Sequence, residues 1–315
     1  MNQSISPFML GGTLYMPALR EDIAEAIVHN KIPGLRSLVI CLEDAVTDRD
    51  VPLALQKLGT LLTYIAEEKR NGNGKGWPLV FIRPRSVEMA RELVSSCDLS
   101  AVNGFVLAKF TQASLAAWWD VLAPTKLLLM PTLETREVYD VGQMTALAEA
   151  LMCHPCHSRI LALRIGGNDL MSVIGMRRPR SMTLYEGPLG YVIKMLVSVF
   201  APRGFYLTAP VCELIDNPAI LQKELELDVA HGLVGKTAIH PGQLEAIYHA
   251  FMVEPDDYED AVHILTSVKA VFKSQGAMCE PATHSMWATA ILERAQHMGI
   301  KTPNDMDNVL IVARQ

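Results

Sequence analysis

The chain has 315 residues, half of them apolar, with 34 acidic and 28 basic side chains and a net charge of −6. That length and apolar content suffice for a large buried core, and a mildly acidic chain without a long basic run argues against a nucleic-acid partner. No apolar run reaches the roughly 18 residues of a membrane span, so no membrane partner is expected. The start, MNQSISPFMLGG, has no basic stretch followed by an apolar core, so no secretory signal is expected. Six cysteines in so long a chain suit a reducing cytoplasm better than a disulfide framework.

Apolar runs alternate with amphipathic stretches along most of the chain. Strands are predicted at 10–18, 37–45, 79–83, 104–110, 126–132, 159–165, 204–208 and 232–239. Helices are predicted between and after them at 21–30, 51–70, 87–96, 112–122, 138–152, 185–200, 218–231 and 241–250. In the second helix Leu53, Leu55, Leu58, Leu61, Leu62 and Ile65 recur at helical spacing. Eight strand–helix units within about 250 residues is the count and length of a (β/α)8 TIM barrel. A doubly wound open sheet is the alternative, but no strand is followed by a GxGxxG turn. The pattern changes after residue 253. Helices at 258–273, broken by Gln275-Gly276, and at 284–298 suggest a helical extension without its own core, serving as a lid or an oligomer contact. The expected division is therefore 1–253 and 254–315.

A barrel collects at one mouth the residues that follow its strands. Those are Glu43 and Asp44 after the second strand, Arg83 and Arg85 at the third, Lys109 at the fourth, Glu134 at the fifth and Asp169 at the sixth. Lys236 and His240 come with the eighth. The sixth strand runs RILALRIGGNDL, an apolar run that breaks into glycines and presents Asp169. A helix cap is the plainer role for that aspartate. Glu134 and Asp169, on adjacent strands, make a plausible seat for Mg2+ or Mn2+, since such ions bind through one or two carboxylates plus waters and substrate. An arginine across the mouth grips a carboxylate with two parallel N–H bonds. The plainer roles are ion pairing for Glu43, Asp44 and Arg83, and neutralisation of a buried acid for Lys109. The loop MRRPR, with Arg177, Arg178 and Arg180, lies on the same face and suits the phosphates of CoA, or else is a solvated loop. NGNGKG joins a helix to a strand and falls on the opposite face. CHPCH, at 153–157, spells a haem-attachment pattern but lacks an export signal and a second metal half-site, so it is expected to be structural.

Together these segments resemble the β subunit of citrate lyase and its relatives, the malyl-CoA and citramalyl-CoA lyases of the HpcH/HpaI aldolase family. VICLEDAV resembles the family's D-L-E-D-[AS]-V, FIRPRS its arginine strand and MPTLET its glutamate segment. RIGGNDL resembles F-G-x-x-D-[LF], and HGLVGKTAIHPGQ resembles G-[FY]-x-G-[KR]-x-x-I-H-P-x-Q, the most specific match. The resemblance implies a TIM barrel with Mg2+ on Glu134 and Asp169, and Arg83 and Lys109 at the substrate. Asp44 and Glu43 would be catalytic. It also implies a CoA thioester as substrate, retro-Claisen cleavage to an acetyl thioester and a 2-oxo acid, and a homo-oligomer, a trimer or hexamer. In relatives a C-terminal aspartate reaches a neighbouring subunit's site, and GAMCEPATH offers Glu280 at about that place. Departures are Cys41 for the family's first aspartate, Pro84-Arg85 for its asparagine, and ETREVY without its glycine. Two rival functions stay open: a metal-dependent aldolase acting on a free 2-oxo acid, and a non-catalytic subunit that binds a metabolite or acyl carrier.

Overall fold

The computed structural model describes residues 5–302. Its strands are β1 (Gly11–Pro17), β2 (Ser37–Cys41), β3 (Leu79–Arg83), β4 (Gly104–Leu107), β5 (Leu128–Leu133), β6 (Leu163–Ile165), β7 (Leu207–Thr208) and β8 (Gly235–Ala238). All pairings among them are parallel, in the order β7-β6-β5-β4-β3-β2-β1-β8. A bridge between Ala209 and Lys236, with Ala209 N–H donating to Gly235 O at 2.7 Å, brings β7 to β8 and closes the ring. The result is a TIM barrel, as expected. The helices on its outside are α1 (Ile23–Val28), α2 (Val51–Arg70), α3 (Val87–Ser96), α4 (Leu115–Leu122), α5 (Val141–Cys153), α6 (Gly167–Val173), α7 (Pro188–Phe200) and α8 (Pro218–Ala230).

Local chemistry explains the sharpest boundaries. In α2 the buried side chains Ala54, Leu58, Leu62, Ile65 and Ala66 fall on one face, and Pro52 sits in the first turn, where no N–H is needed. Ser86 caps α3 by accepting from Met89 N–H, and Asn217 caps α8 by accepting from Ile220 N–H. The strands are buried on both faces, which is why they read as plain apolar runs. α6 departs from expectation. It begins at the glycines after β6, extends into the MSVIGMRRPRSMT segment expected to be loop, and places Asp169 in its first turn.

Alternation along β8 sends Thr237 into the barrel and Lys236 outward against α8. Lys236 Nζ lies 3.2 Å from Glu224 Oε2 and 2.9 Å from Asp228 Oδ2. This corrects its expected place at the mouth. The Tyr185 hydroxyl donates to Asp228 Oδ1 at 2.6 Å. His240 is an exposed cap whose Nδ1 accepts from Gly242 N–H. CHPCH is structural too: His154 Nδ1 accepts from Cys156 N–H, and all six cysteines are free thiols.

The chain parts into two compact units at Leu244 and Glu245, ahead of the division expected after residue 253. The second unit runs through α9 (Leu244–Phe251), α10 (Pro255–Thr266), the strands β9 (Phe272–Ser274) and β10 (Ala277–Cys279), and α11 (Pro281–Met298). Two expectations are corrected here. The unit buries its own apolar cluster, with Val253, Ala261, Ile264, Cys279, Ala288 and Ile291. Residues 272–279 form an antiparallel hairpin where helix was expected up to 273. Gln275 and Gly276 both take positive φ, as a two-residue hairpin turn requires.

Two outcomes follow from this packing. Lys236→Met leaves Glu224 and Asp228 buried without that cation and lowers unfolding free energy by about 3 kcal/mol, whereas Lys57→Met, at an exposed pair with Glu21, costs less than about 1 kcal/mol. Urea denaturation measures both, and equal losses would contradict the buried cluster. In native protein an alkylating reagent labels the exposed Cys153, while Cys156, pushed up to about 11 by burial, is labelled only after unfolding. Peptide mapping reads the order.

Candidate active site

The C-terminal ends of the strands surround a cavity of about 360 Å³. Tyr15, Asp44, Arg83, Glu134, Arg164 and Asp169 are among its lining residues. At its centre the buried Arg83 reaches three acids. Its Nη2 lies 3.0 Å from Glu134 Oε1 and 2.9 Å from Glu43 Oε2, and its Nη1 lies 3.3 Å from Asp44 Oδ2. Lys109 Nζ donates to Glu43 Oε1 at 2.7 Å. The Lys109 backbone adopts φ +49°, which is uncommon for a residue with a Cβ, and its N–H donates to Glu134 Oε1 at 2.7 Å. Six of the predicted residues, Glu43, Asp44, Arg83, Lys109, Glu134 and Asp169, therefore come together at one mouth.

Gly166 has a specific steric role. A Cβ there would stand 2.4 Å from both the Cβ and Oε2 of Glu134. The missing side chain makes room for the glutamate. Gly167, whose Cβ would stand 2.8 Å from Pro210 Cβ, lets the α6 start pack against the segment after β7.

Crowded carboxylates set the electrostatics. Burial pushes Glu134 up to about 7; Arg83 opposes this and the Asp169 charge adds to it. Burial and then the neighbouring Glu43 carboxylate push Asp44 up to about 6. Burial also works against the Glu43 charge, but hydrogen bonding with Asp44, the Arg83 guanidinium and the Lys109 ammonium prevail and hold it at about 2. Burial opposes the Arg83 charge as well, yet Glu134, Tyr15 and Glu43 raise its pKa overall.

Among the described residues no group of three or more His, Cys, Asp and Glu side chains is arranged to hold a metal. Two carboxylates with waters and substrate suffice for a hard cation such as Mg2+. Glu134 and Asp169 line the same cavity, and the buried Thr132 Oγ1 beside them has no hydrogen-bond partner. A cation held by these acids would offset the burial and the Asp169 charge that lift Glu134. The donor set fits.

The arginine loop is a correction in part. Arg178 is buried, with Nη1 2.7 Å from Glu224 Oε1 and Nη2 3.1 Å from Glu213 Oε2. Its guanidinium is engaged by protein carboxylates and is not open to CoA phosphates. Arg177 and Arg180 are exposed and do not line the cavity with Asp169. Arg85 also serves structure. It donates to Leu42 O at 3.2 Å and to Val46 O, pairs with Asp48, and so pins the loop that carries Glu43 and Asp44. Glu280 lies in the second unit at the N-cap of α11, where its Oε2 accepts from Thr283 Oγ1 at 3.2 Å. Lining residues that were missed include Tyr15, Thr132 and Arg164. The one signal for Arg164 was a second arginine, after Arg159, in an otherwise apolar run, which does not say which face it takes.

A family model described as the C–C bond lyase of the TIM-barrel fold matches residues 4–300. The chain is 24% identical over 249 residues to a (3S)-malyl-CoA thioesterase of Cereibacter sphaeroides, spanning 78% of each protein. Its fold is similar to that of a citrate lyase from Burkholderia xenovorans (TM-score 0.69, 16% identity, 96% of this chain and 98% of that one). It is similar also to CitE from Mycobacterium tuberculosis in complex with magnesium, acetoacetate and coenzyme A (TM-score 0.63, 20% identity, 91% and 98%).

Gly166→Ala tests how Glu134 is seated. The backbone there has φ −89°, outside the left-handed region, so the nearest conflict an alanine meets is with the Glu134 side chain. If Mg2+ raises the parent's melting temperature through Glu134, the variant is expected to lose most of that rise. Unchanged Mg2+ stabilisation would show that Glu134 is not held through Gly166.

Proposed function

The chain belongs to the C–C bond lyases of the TIM-barrel fold, and on that premise we propose that it cleaves a 3-hydroxy acyl thioester of CoA, of the malyl, citramalyl or citryl kind. The products are an acetyl thioester and a 2-oxo acid. The observation that carries this reading is the pair Glu134 and Asp169, two acids lining one cavity beside the Arg83 guanidinium.

Glu134 and Asp169 would hold Mg2+ or Mn2+, and the ion would supply Lewis-acid polarisation of the substrate's oxygens. Asp44 is the acid–base group, because its carboxyl at about 6 exchanges a proton readily near neutral pH. Asp44 takes the hydroxyl proton, the C2–C3 bond breaks, and the hydroxyl carbon becomes the carbonyl of the 2-oxo acid. The bonding pair passes to the thioester fragment as an enolate, which regains one proton on carbon. Arg83 and Lys109 place fixed positive charge where that negative charge develops. Glu43, ionised at about 2, keeps both cations in place. Arg177 and Arg180 are the loop residues open to CoA phosphates. The C-terminal unit serves as a lid or oligomer contact, and Glu280 is the acid it could deliver to a neighbouring subunit's site.

The similarity to a malyl-CoA thioesterase favours one second reading, hydrolysis of the thioester. One assay separates the two. Protein, Mg2+ and a panel of malyl-, citramalyl- and citryl-CoA are incubated, and acetyl-CoA, free CoA and 2-oxo acid are measured. Acetyl-CoA with one equivalent of 2-oxo acid is expected from at least one substrate. Glu134→Ala and Asp169→Ala each lower the rate by more than about a hundredfold, as even the partners of metal ligands can act on that scale. Free CoA without 2-oxo acid would establish hydrolysis instead. No turnover of any thioester, with Mg2+ bound, would overturn both.

A further inference from the structure

Three basic side chains of the barrel are almost completely buried: Lys236, Arg178 and Arg164, at 1%, 4% and 1% residue exposure. Lys236 faces Glu224 and Asp228, and Arg178 faces Glu224 and Glu213. Arg164 is different. Its Nη2 donates to Thr237 Oγ1 at 2.6 Å. Its Nη1 reaches Thr13 Oγ1 at 3.4 Å and Met130 Sδ at 3.8 Å. Its Cζ lies 5.3 Å from the Tyr15 ring centroid. Its Nε is buried without a partner. These contacts are neutral, and among the described residues no carboxylate pairs with it.

A buried guanidinium costs several kcal/mol to desolvate, and hydroxyls, a thioether and a ring only partly offset that. Methionine would fill comparable space without that cost. Arg164 nevertheless lines the catalytic cavity. It stands two residues before Gly166 on β6, one inward-facing layer deeper than the glycine that accommodates Glu134. Thr132, its register partner on β5, also lines the cavity, and the Thr132 Oγ1 is likewise buried and unpartnered. Of the two guanidiniums lining the cavity, Arg83 is already engaged by three carboxylates. The uncompensated charge is that of Arg164.

We propose that Arg164, with Thr132, is a second anion subsite that receives a carboxylate of the substrate's acyl end beyond the one beside Glu134 and Asp169, so that the site selects a dicarboxylate acyl group. This rests on the lyase reading for the identity of the substrate, but not for the subsite itself. In this arrangement the 2-oxo acid released from the cavity is itself a dicarboxylate. A 2-oxo acid with one carboxylate leaves Arg164 unmatched.

Calorimetric binding tests it with three probes: oxaloacetate and pyruvate, each with Mg2+, and succinate without metal. Succinate has two carboxylates and no 2-oxo group, so its binding does not depend on the lyase chemistry. The parent protein is expected to bind oxaloacetate roughly tenfold or more tighter than pyruvate, the scale of one charge-assisted hydrogen bond. Arg164→Met removes that preference and weakens succinate by a similar factor, while pyruvate changes by less than about threefold and so reports a folded site. Arg164→Lys keeps part of the preference. If the parent binds neither 2-oxo acid but binds succinate through Arg164, the subsite stands and the lyase reading falls. If both 2-oxo acids bind equally, or the preference survives in Arg164→Met, the subsite is overturned while the lyase reading stands.

Discussion

The ion pair between Arg83 and Glu134 is the constraint on which the rest of the site depends. Both side chains are nearly excluded from solvent, and an unpaired charge in such a place is far costlier than the pair itself. Arg83 ends β3, Glu134 follows β5, and Glu43 and Asp44 follow β2, so three strand ends must meet in register before the charges are satisfied. The register places Cys41 opposite Arg83, which brings the acids after β2 within reach. Lys109 contributes from β4 by accepting positive φ, and Gly166 contributes from β6 by having no Cβ. Two local oddities, a strained lysine and an indispensable glycine, thus have one cause. Both seat the same carboxylate.

That arrangement explains what could be read from the chain alone. β3, α2 and α3 were legible to the residue, since each is bounded by local chemistry: an apolar run of strand length, a proline at a helix start, a serine cap. The acids at the strand ends were legible because a barrel converts sequence position into spatial convergence. The hairpin at 272–279 was not, because Phe272 and Lys273 continue a helical pattern and only the paired positive-φ turn betrays it. Arg178 was misread as a CoA-phosphate ligand for a related reason. Its partner Glu224 lies 40 or more residues away and meets it only through packing of α8. Arg164 went unseen because one cation in an apolar strand gives no local sign of which face it will take.

The segment most characteristic of the family proves to carry architecture. In HGLVGKTAIHPGQ, Lys236 points away from the cavity into the α8 acids, and His240 caps a turn. Gln243 accepts from Ile239 N–H and donates to Cys212 O at 2.7 Å, tying the end of β8 to the segment after β7. These residues close the barrel. The acids that line or flank the cavity come instead from the segments that match the family less closely, after β2, β5 and β6. A match in the closing segment therefore reports the fold, while Cys41, which stands where the family has an aspartate, lines the cavity.

The most direct measurement is an anomalous diffraction map of crystals grown with Mn2+. The expected result is one peak in the barrel mouth, about 2 Å from a carboxylate oxygen of Glu134 and of Asp169, with Arg83 still in the cavity. A mouth without a peak, or an ion held by other residues while Glu134 stays closed on Arg83, would contradict it.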